Sequence, residues 1–172
     1  RDTSEVVRIA NGREKATVYL TGGALVAKWV VGADGAASTV ARTTGLKRTW
    51  HSWQSGVTLC REWQSHSLPA DKSGFIELHA VGIPGALGWC FSWTGGWRIG
   101  VGAPAFFKPH LTETLDTLVK KVSAMRGATD DLLPVKTTGA IVPASTFWPR
   151  LGKGHVFLAG DAAGLADPFS GE

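Results

Sequence analysis

Long apolar runs are what this chain most plainly lacks. No window of its 172 residues reaches the roughly 18 uninterrupted apolar positions that a bilayer span needs. Residues 1–30 also lack the basic-then-apolar layout of a signal peptide. Cysteine is scarce: Cys60 and Cys90 stand apart, outside any CxxC pair, which argues against a disulfide framework and a zinc site and leaves reduced thiols as the expectation. The histidines His51, His66, His79, His110 and His155 have no mutual spacing suited to a metal or a triad, so no metal is expected, and no serine sits in a GxSxG elbow. Blocks of basic charge are missing too. The formal charge of +4 is scattered, with Lys47-Arg48 and Lys120-Lys121 the only basic pairs of note, so no nucleic-acid partner is expected. The expected location is the cytoplasm or the periphery of a membrane. An initiator methionine is absent as well, and the chain stops inside a Gly-rich turn, which points to an internal piece of a longer protein.

What is present is a β-rich chain, 44% hydrophobic, with room for one domain or one and a part. The runs Glu5–Ala10, Lys15–Leu20 and Ala24–Gly35, separated by Asn11-Gly12 and Gly22-Gly23, predict a three-stranded meander. The apolar triplet Trp29-Val30-Val31 predicts burial of the third strand on both faces. Four further strands are expected over residues 55–63, 74–81, 87–93 and 97–103, set apart by Pro69, Gly74, Pro84 and Gly95-Gly96. After them, Leu111, Leu115, Leu118, Val119 and Val122 fall at helical spacing. Glu113 and Asp116 come early, Lys120, Lys121 and Arg126 late, and Gly127 provides a stop. A last strand is expected at His155–Ala159.

Two strand ends carry an aspartate among very small residues. In "VVGADGAASTVAR" it is Asp34, followed by Gly35, Ser38 and Arg42 where a short helix should begin. In "HVFLAGDAAGLADPFSGE" it is Asp161, between Gly160 and Ala162-Ala163-Gly164, with Pro168 and Gly171 beyond. Each turn has two readings. The aspartate caps the following helix, or the small residues let backbone approach a ligand whose hydroxyls the carboxylate accepts.

Together the two turns resemble the flavoprotein hydroxylase and geranylgeranyl reductase superfamily, in which FAD lies across the carboxyl ends of a parallel sheet. The resemblance implies that Asp34, Gly35, Ser38 and Arg42 sit near the pyrophosphate and shape the nicotinamide approach. It implies that Gly160, Asp161, Ala162, Ala163 and Gly164 hold the ribityl chain, with Pro168 beside the isoalloxazine ring. A helix starting near Gly171 would point its N-terminus at the flavin pyrimidine, where reduced flavin is negative. The stretch "IPGALGWCFSW" is similar to the PxxYxWxFP signature of the reductase branch: Pro84, Trp89 and Phe91 match, while Leu87 and Ser92 depart from it. These three are expected to border substrate, against the plainer reading that Trp89, Phe91 and Trp93, alternating along one strand, are ordinary β core.

The resemblance implies an α/β fold, α+β overall: part of a Rossmann-like FAD-binding domain at 1–45 and 136–172, with an inserted substrate domain of antiparallel sheet plus helix at 46–135. It implies a superfamily GxGxxG turn upstream of Arg1. It implies hydride transfer from reduced FAD to a carbon–carbon double bond of a polyprenyl substrate, a hydrophobic small molecule or lipid, with NAD(P)H or another reductant as electron donor. No residue is assigned as the proton donor or other catalytic group. An aromatic monooxygenase, a flavin halogenase and a Trp-rich module that binds lipid or carbohydrate without redox chemistry stay open.

Overall fold

The computed structural model describes residues 4–47, 49–64, 74–93, 96–126, 134–144 and 150–167. Its contacts divide the chain into two compact units: residues 1–55 with 142–172, and residues 56–141.

In the first unit, strands β1 (Val6–Asn11), β2 (Ala16–Leu20) and β3 (Gly23–Ala27) form the antiparallel meander that the Gly-containing turns predict. The run Ala24–Gly35 is not one strand, however. Pairing of β2 with β3 ends at Ala16 opposite Ala27, the chain bends at Lys28, and β4 (Val30–Gly32) joins a different sheet. There it pairs in parallel with β11 (Val156–Leu158), which pairs antiparallel with the two-residue β10 (Gly152–Lys153). The expected burial of Trp29-Val30-Val31 on both faces also fails, since Trp29 is 53% and Val31 62% exposed. Alternation turns Val31 away from the face that helix α1 (Thr39–Thr44) covers, and the Trp29 ring rests against His155 and Phe157 at centroid distances of 5.1 and 5.6 Å. An apolar run this short does not distinguish a doubly buried strand from an aromatic cluster on a sheet face.

The core of this unit gathers Ile9, Ala16, Val40, Ala41, Leu46, Val156, Leu158 and Ala163. Gly32 is required for it: a Cβ there would lie 2.7 Å from Cβ of Val40, so α1 seats directly on β4. Asn11 ties the two sheets together. Its Nδ2 donates to the Lys153 carbonyl at 2.5 Å, its Oδ1 accepts from the His155 amide at 3.1 Å, and the intervening Gly154 takes a positive φ against the Asn11 side chain. Asn11→Ala is expected to cost about 1–2 kcal/mol in chemical denaturation, because two backbone groups lose their partner at once. An unchanged midpoint would show that water replaces both bonds.

The second unit is a five-stranded sheet in the order β6-β7-β8-β5-β9. Its strands are β5 (Ser55–Gln64), β6 (Ile76–His79), β7 (Leu87–Trp93), β8 (Gly96–Pro104) and β9 (Lys136–Pro143). The pairs β6/β7, β7/β8 and β8/β5 are antiparallel, as the sequence predicts, whereas neither β9 nor β10 was expected. A 3-10 segment, Ala105–His110, leads into helix α2 (Leu111–Arg126), of whose periodic residues Leu111, Leu115, Leu118 and Val122 are buried and Val119 partly so. Leu111, Leu115, Leu118 and Val122 pack on Val57, Trp63, Cys90, Ile99, Val101 and Ala103. Arg61, on the same face, pairs with Asp116 of the helix. The Trp93 side chain, Gly127 and Trp148 lie outside the described residues. Among those described, no helix is long and apolar enough to cross a membrane.

Candidate functional site

Parallel pairing fixes where the two acidic turns lie. Val156, Phe157 and Leu158 stand opposite Val30, Val31 and Gly32, and the Ala159 amide donates to the Gly32 carbonyl at 2.9 Å. Both strands therefore release their turns, Asp34-Gly35 and Gly160-Asp161, at the same carboxyl end of adjacent strands. In open α/β sheets this is where ligands bind.

The two carboxylates do different work. Asp34 is committed to its own fold: Oδ1 accepts from the Ser38 hydroxyl, and Oδ2 accepts from the amides of Thr39 and Val40 at 2.7 and 3.2 Å. Ser38, 3% exposed, in turn accepts from the Ala41 amide at 2.9 Å, so the first turn of α1 is capped twice over. Burial alone would raise the Asp34 carboxyl, but the hydrogen bonds from Ser38, Val40 and Thr39 outweigh it and hold it below its ordinary value. A carboxyl depressed on folding stabilises the fold above its unfolded pKa and loses that contribution as pH falls through the folded pKa. The stability advantage of the wild type over Asp34→Asn should therefore be complete at neutral pH and vanish on acidification below the usual aspartate range. A gap that stays constant down to the most acidic sample would contradict the capping role.

Asp161 is the opposite case. It is exposed and has no hydrogen-bond partner among the described residues, although it opens a 3-10 turn. That turn is held by backbone alone, with the Ala163 and Leu165 amides donating to the Gly160 carbonyl and the Gly164 amide to the Asp161 carbonyl. Gly160 takes φ 55°, which favours glycine, and a Cβ there would meet nothing within 4 Å. A free carboxylate beside open backbone suits a polyol such as the ribityl chain of FAD. Ala162, Ala163 and Gly164 are buried behind it.

A cavity of about 100 Å³ lies beside these turns, bordered by Ser38, Arg42, Lys47, Trp50 and Ala162. Arg42 is exposed on α1 and donates to the Thr39 hydroxyl at 3.2 Å. The sequence reading missed Lys47 and Trp50. The Trp50 indole N–H donates to the Ala36 carbonyl at 2.8 Å and so braces the Asp34-Gly35 loop, while Lys47 sits over the indole at 4.4 Å and donates to Gln54. Burial holds the Lys47 amine below its ordinary value. The signal was the basic pair beside an aromatic in "GLKRTW", read there only as charge. The first amides of α1 are spent on Asp34 and Ser38, so among the described residues the cations beside this cavity are the side chains of Arg42 and Lys47. Pro168 and Gly171 lie outside the described residues.

In the second unit the face opposite α2 is open among the described residues. Register puts Leu78, Trp89, Gly100 and Cys60 in one rung and Ile76, Phe91, Arg98 and Glu62 in the next. Neither Trp89 nor Phe91 belongs to the core on α2. The Trp89 indole instead lies across the glycines of β8, so that a Cβ on Gly100 would fall 2.4 Å from its Cε2, and it stacks with Phe91 at 6.3 Å. Ile76 and Leu78 beside them are 75% and 64% exposed. Pro84 is not brought to this surface, for it occupies the exposed turn before β7. Cys60 borders the platform, and burial pushes its thiol up, which keeps it protonated. Among the described residues no three metal-ligating side chains converge.

The FAD binding domain family matches residues 3–172. No curated protein matches the chain. Among solved structures, the chain is similar to a geranylgeranyl bacteriochlorophyll reductase-like protein from Thermoplasma acidophilum, with 19% identity, a TM-score of 0.76 and coverage of 98% of this chain and 44% of that one. It is also similar to CmlS, a flavin-dependent halogenase (14% identity, TM-score 0.65, 98% and 32% coverage). A third is HpxO from Klebsiella pneumoniae complexed with FAD and uric acid (19%, 0.55, 93% and 42%). The chain thus spans less than half the length of each. Likeness at these identities is likeness of fold, mixed α/β and of the Rossmann-like FAD-binding kind. With the family match running from residue 3 to residue 172, the chain belongs to the FAD binding domain family.

Proposed function

We propose that this chain is part of an FAD-dependent reductase that saturates a carbon–carbon double bond in a long apolar substrate of polyprenyl type. The observation that carries the reading is the open sheet face, where Trp89 lies flat over Gly100 beside Phe91, Ile76 and Leu78. A polyprenyl chain has almost no polar handles, so apolar area, at about 25 cal/mol per Å², must supply its binding. The fold shared with a reductase-like protein supports the same reading.

Gly160 and Asp161 would take the ribityl hydroxyls. Arg42 and Lys47 would meet phosphate charge at the cavity beside Ser38, and the Asp34–Ser38 cap with the Trp50 brace would keep that loop in place. FAD, when bound, supplies a two-electron hydride carrier that protein side chains cannot provide. NAD(P)H or another reductant would recharge it. A lipid substrate also implies work at the periphery of a membrane, from which such a molecule is drawn.

The discriminating experiment is done on the full-length protein without oxygen. Its bound flavin is reduced, the donor is removed, and a geranylgeranyl substrate is added. Return of the oxidised flavin spectrum together with a product two hydrogens heavier is the expected result. Reoxidation only when oxygen is admitted, with a hydroxylated product, would replace the reductase reading by a monooxygenase one.

The platform makes a prediction of its own. Gly100→Ala must push the Trp89 ring off β8, so its fluorescence should change and turnover of long substrates should fall several-fold while the fold survives. An unchanged emission spectrum would show that the indole does not rest where the structure puts it.

A further inference from the structure

The apolar platform ends in a charge. Across the rung from Phe91 stands Arg98, and across from Arg98 stands Glu62, all on the face away from α2. Arg98 Nη2 donates to Glu62 Oε1, and among the described residues the guanidinium has no other partner. Glu62 is mostly covered, with its side chain 18% exposed, whereas Arg98 is 47% exposed. A cavity of about 490 Å³ opens at this end, lined by Phe75, Ile76, Phe91, Ser92 and Arg98. One side of the guanidinium is thus fixed by a carboxylate, and among the described residues Nε and Nη1 stay uncommitted beside apolar rings.

We propose that Arg98 is a specificity-determining residue that selects substrates carrying an anionic head group, a carboxylate or a phosphate, on an apolar body laid along Trp89 and Phe91. This rests on the reading of the open face as the substrate surface. A planar guanidinium suits both anions, because each N–H that Glu62 does not take can donate a charge-assisted hydrogen bond to an anion oxygen. Glu62 holds the fork at the rim, so less side-chain freedom is lost when the anion docks. The surrounding Phe91 and Ile76 keep water from one side and strengthen the contact. The head group is anchored at one end of the sheet, and the position of the double bond along the chain then decides which carbon is presented for reduction.

The test is binding to the full-length, flavin-loaded protein without turnover, so it stands apart from whether reduction occurs. Decanoate, decyl phosphate and decanol are titrated below their micellar limits and followed by tryptophan fluorescence. In the wild type at least one of the anions should bind about tenfold or more tightly than decanol, and whichever is preferred identifies the head group. Arg98→Met keeps the apolar stem and removes the fork. It should bring that anion to within about twofold of decanol while decanol itself binds as before, and Arg98→Lys should restore part of the preference. Equal affinity of all three ligands for the wild type would overturn the proposal. So would an anion preference that survives in Arg98→Met.

Discussion

Asp161→Ala in the full-length protein should yield a folded protein that has lost most of its flavin. The residue is exposed and bonds to nothing described in its own fold, so its removal leaves no buried group stranded. A hydrogen bond to a charged group contributes about 1.5–3 kcal/mol. If FAD hydroxyls supply the partner, its loss weakens binding by about 10- to 150-fold, enough to strip the cofactor during purification. Asp34→Ala should behave in the reverse order. It uncaps α1 at a cost of about 0.5–2 kcal/mol and alters flavin content only through the loosened loop. Melting temperature and flavin-to-protein ratio, measured on both variants, separate the two roles. Equal flavin loss from both, with equal destabilisation, would show that the turns do one job together.

Leu115→Ala and Phe91→Ala form the second contrast. Leu115 is fully buried between α2 and the sheet, and its truncation should cost about 2–5 kcal/mol and impair every activity together. Phe91 is half-buried on the opposite face, outside that core. Phe91→Ala should therefore leave stability nearly intact and lower turnover of long prenyl substrates about tenfold or more. Tenfold corresponds to about 1.4 kcal/mol, which a ring covering about 56 Å² of substrate provides. Reduction of the flavin by its own donor needs no prenyl contact and should be unchanged. Parallel loss of stability and both half-reactions in Phe91→Ala would return it to the core.

Periodicity carried much of this architecture. The helix was legible because Leu111, Leu115, Leu118 and Val122 repeat at the spacing that lays one stripe on a sheet, and four strands of the second unit followed from alternation between turn residues. β9 was not legible: Thr137, Thr138, Gly139 and Ala140 alternate nothing, and their place is set by the β5 backbone beside them. The break at Lys28 was hidden for a related reason, since an apolar run reads the same whether it stays in one sheet or passes to another. Alternation also put Trp89 and Phe91 on one face but could not say which face α2 would cover. The two acidic turns looked alike, yet the difference was written nearby. Ser38 follows Asp34 by four residues and closes on it, whereas Leu165 at the same interval from Asp161 has no hydroxyl to offer.

The most direct measurement is the cofactor content of the full-length protein. After purification without added flavin, the protein is denatured and the released chromophore is identified and counted against protein. Close to one FAD per chain, released without breaking a covalent bond, is the expected result. A well-folded full-length protein that holds no flavin and binds none when FAD is supplied would contradict the assignment of the Gly160-Asp161 turn, and with it the redox function.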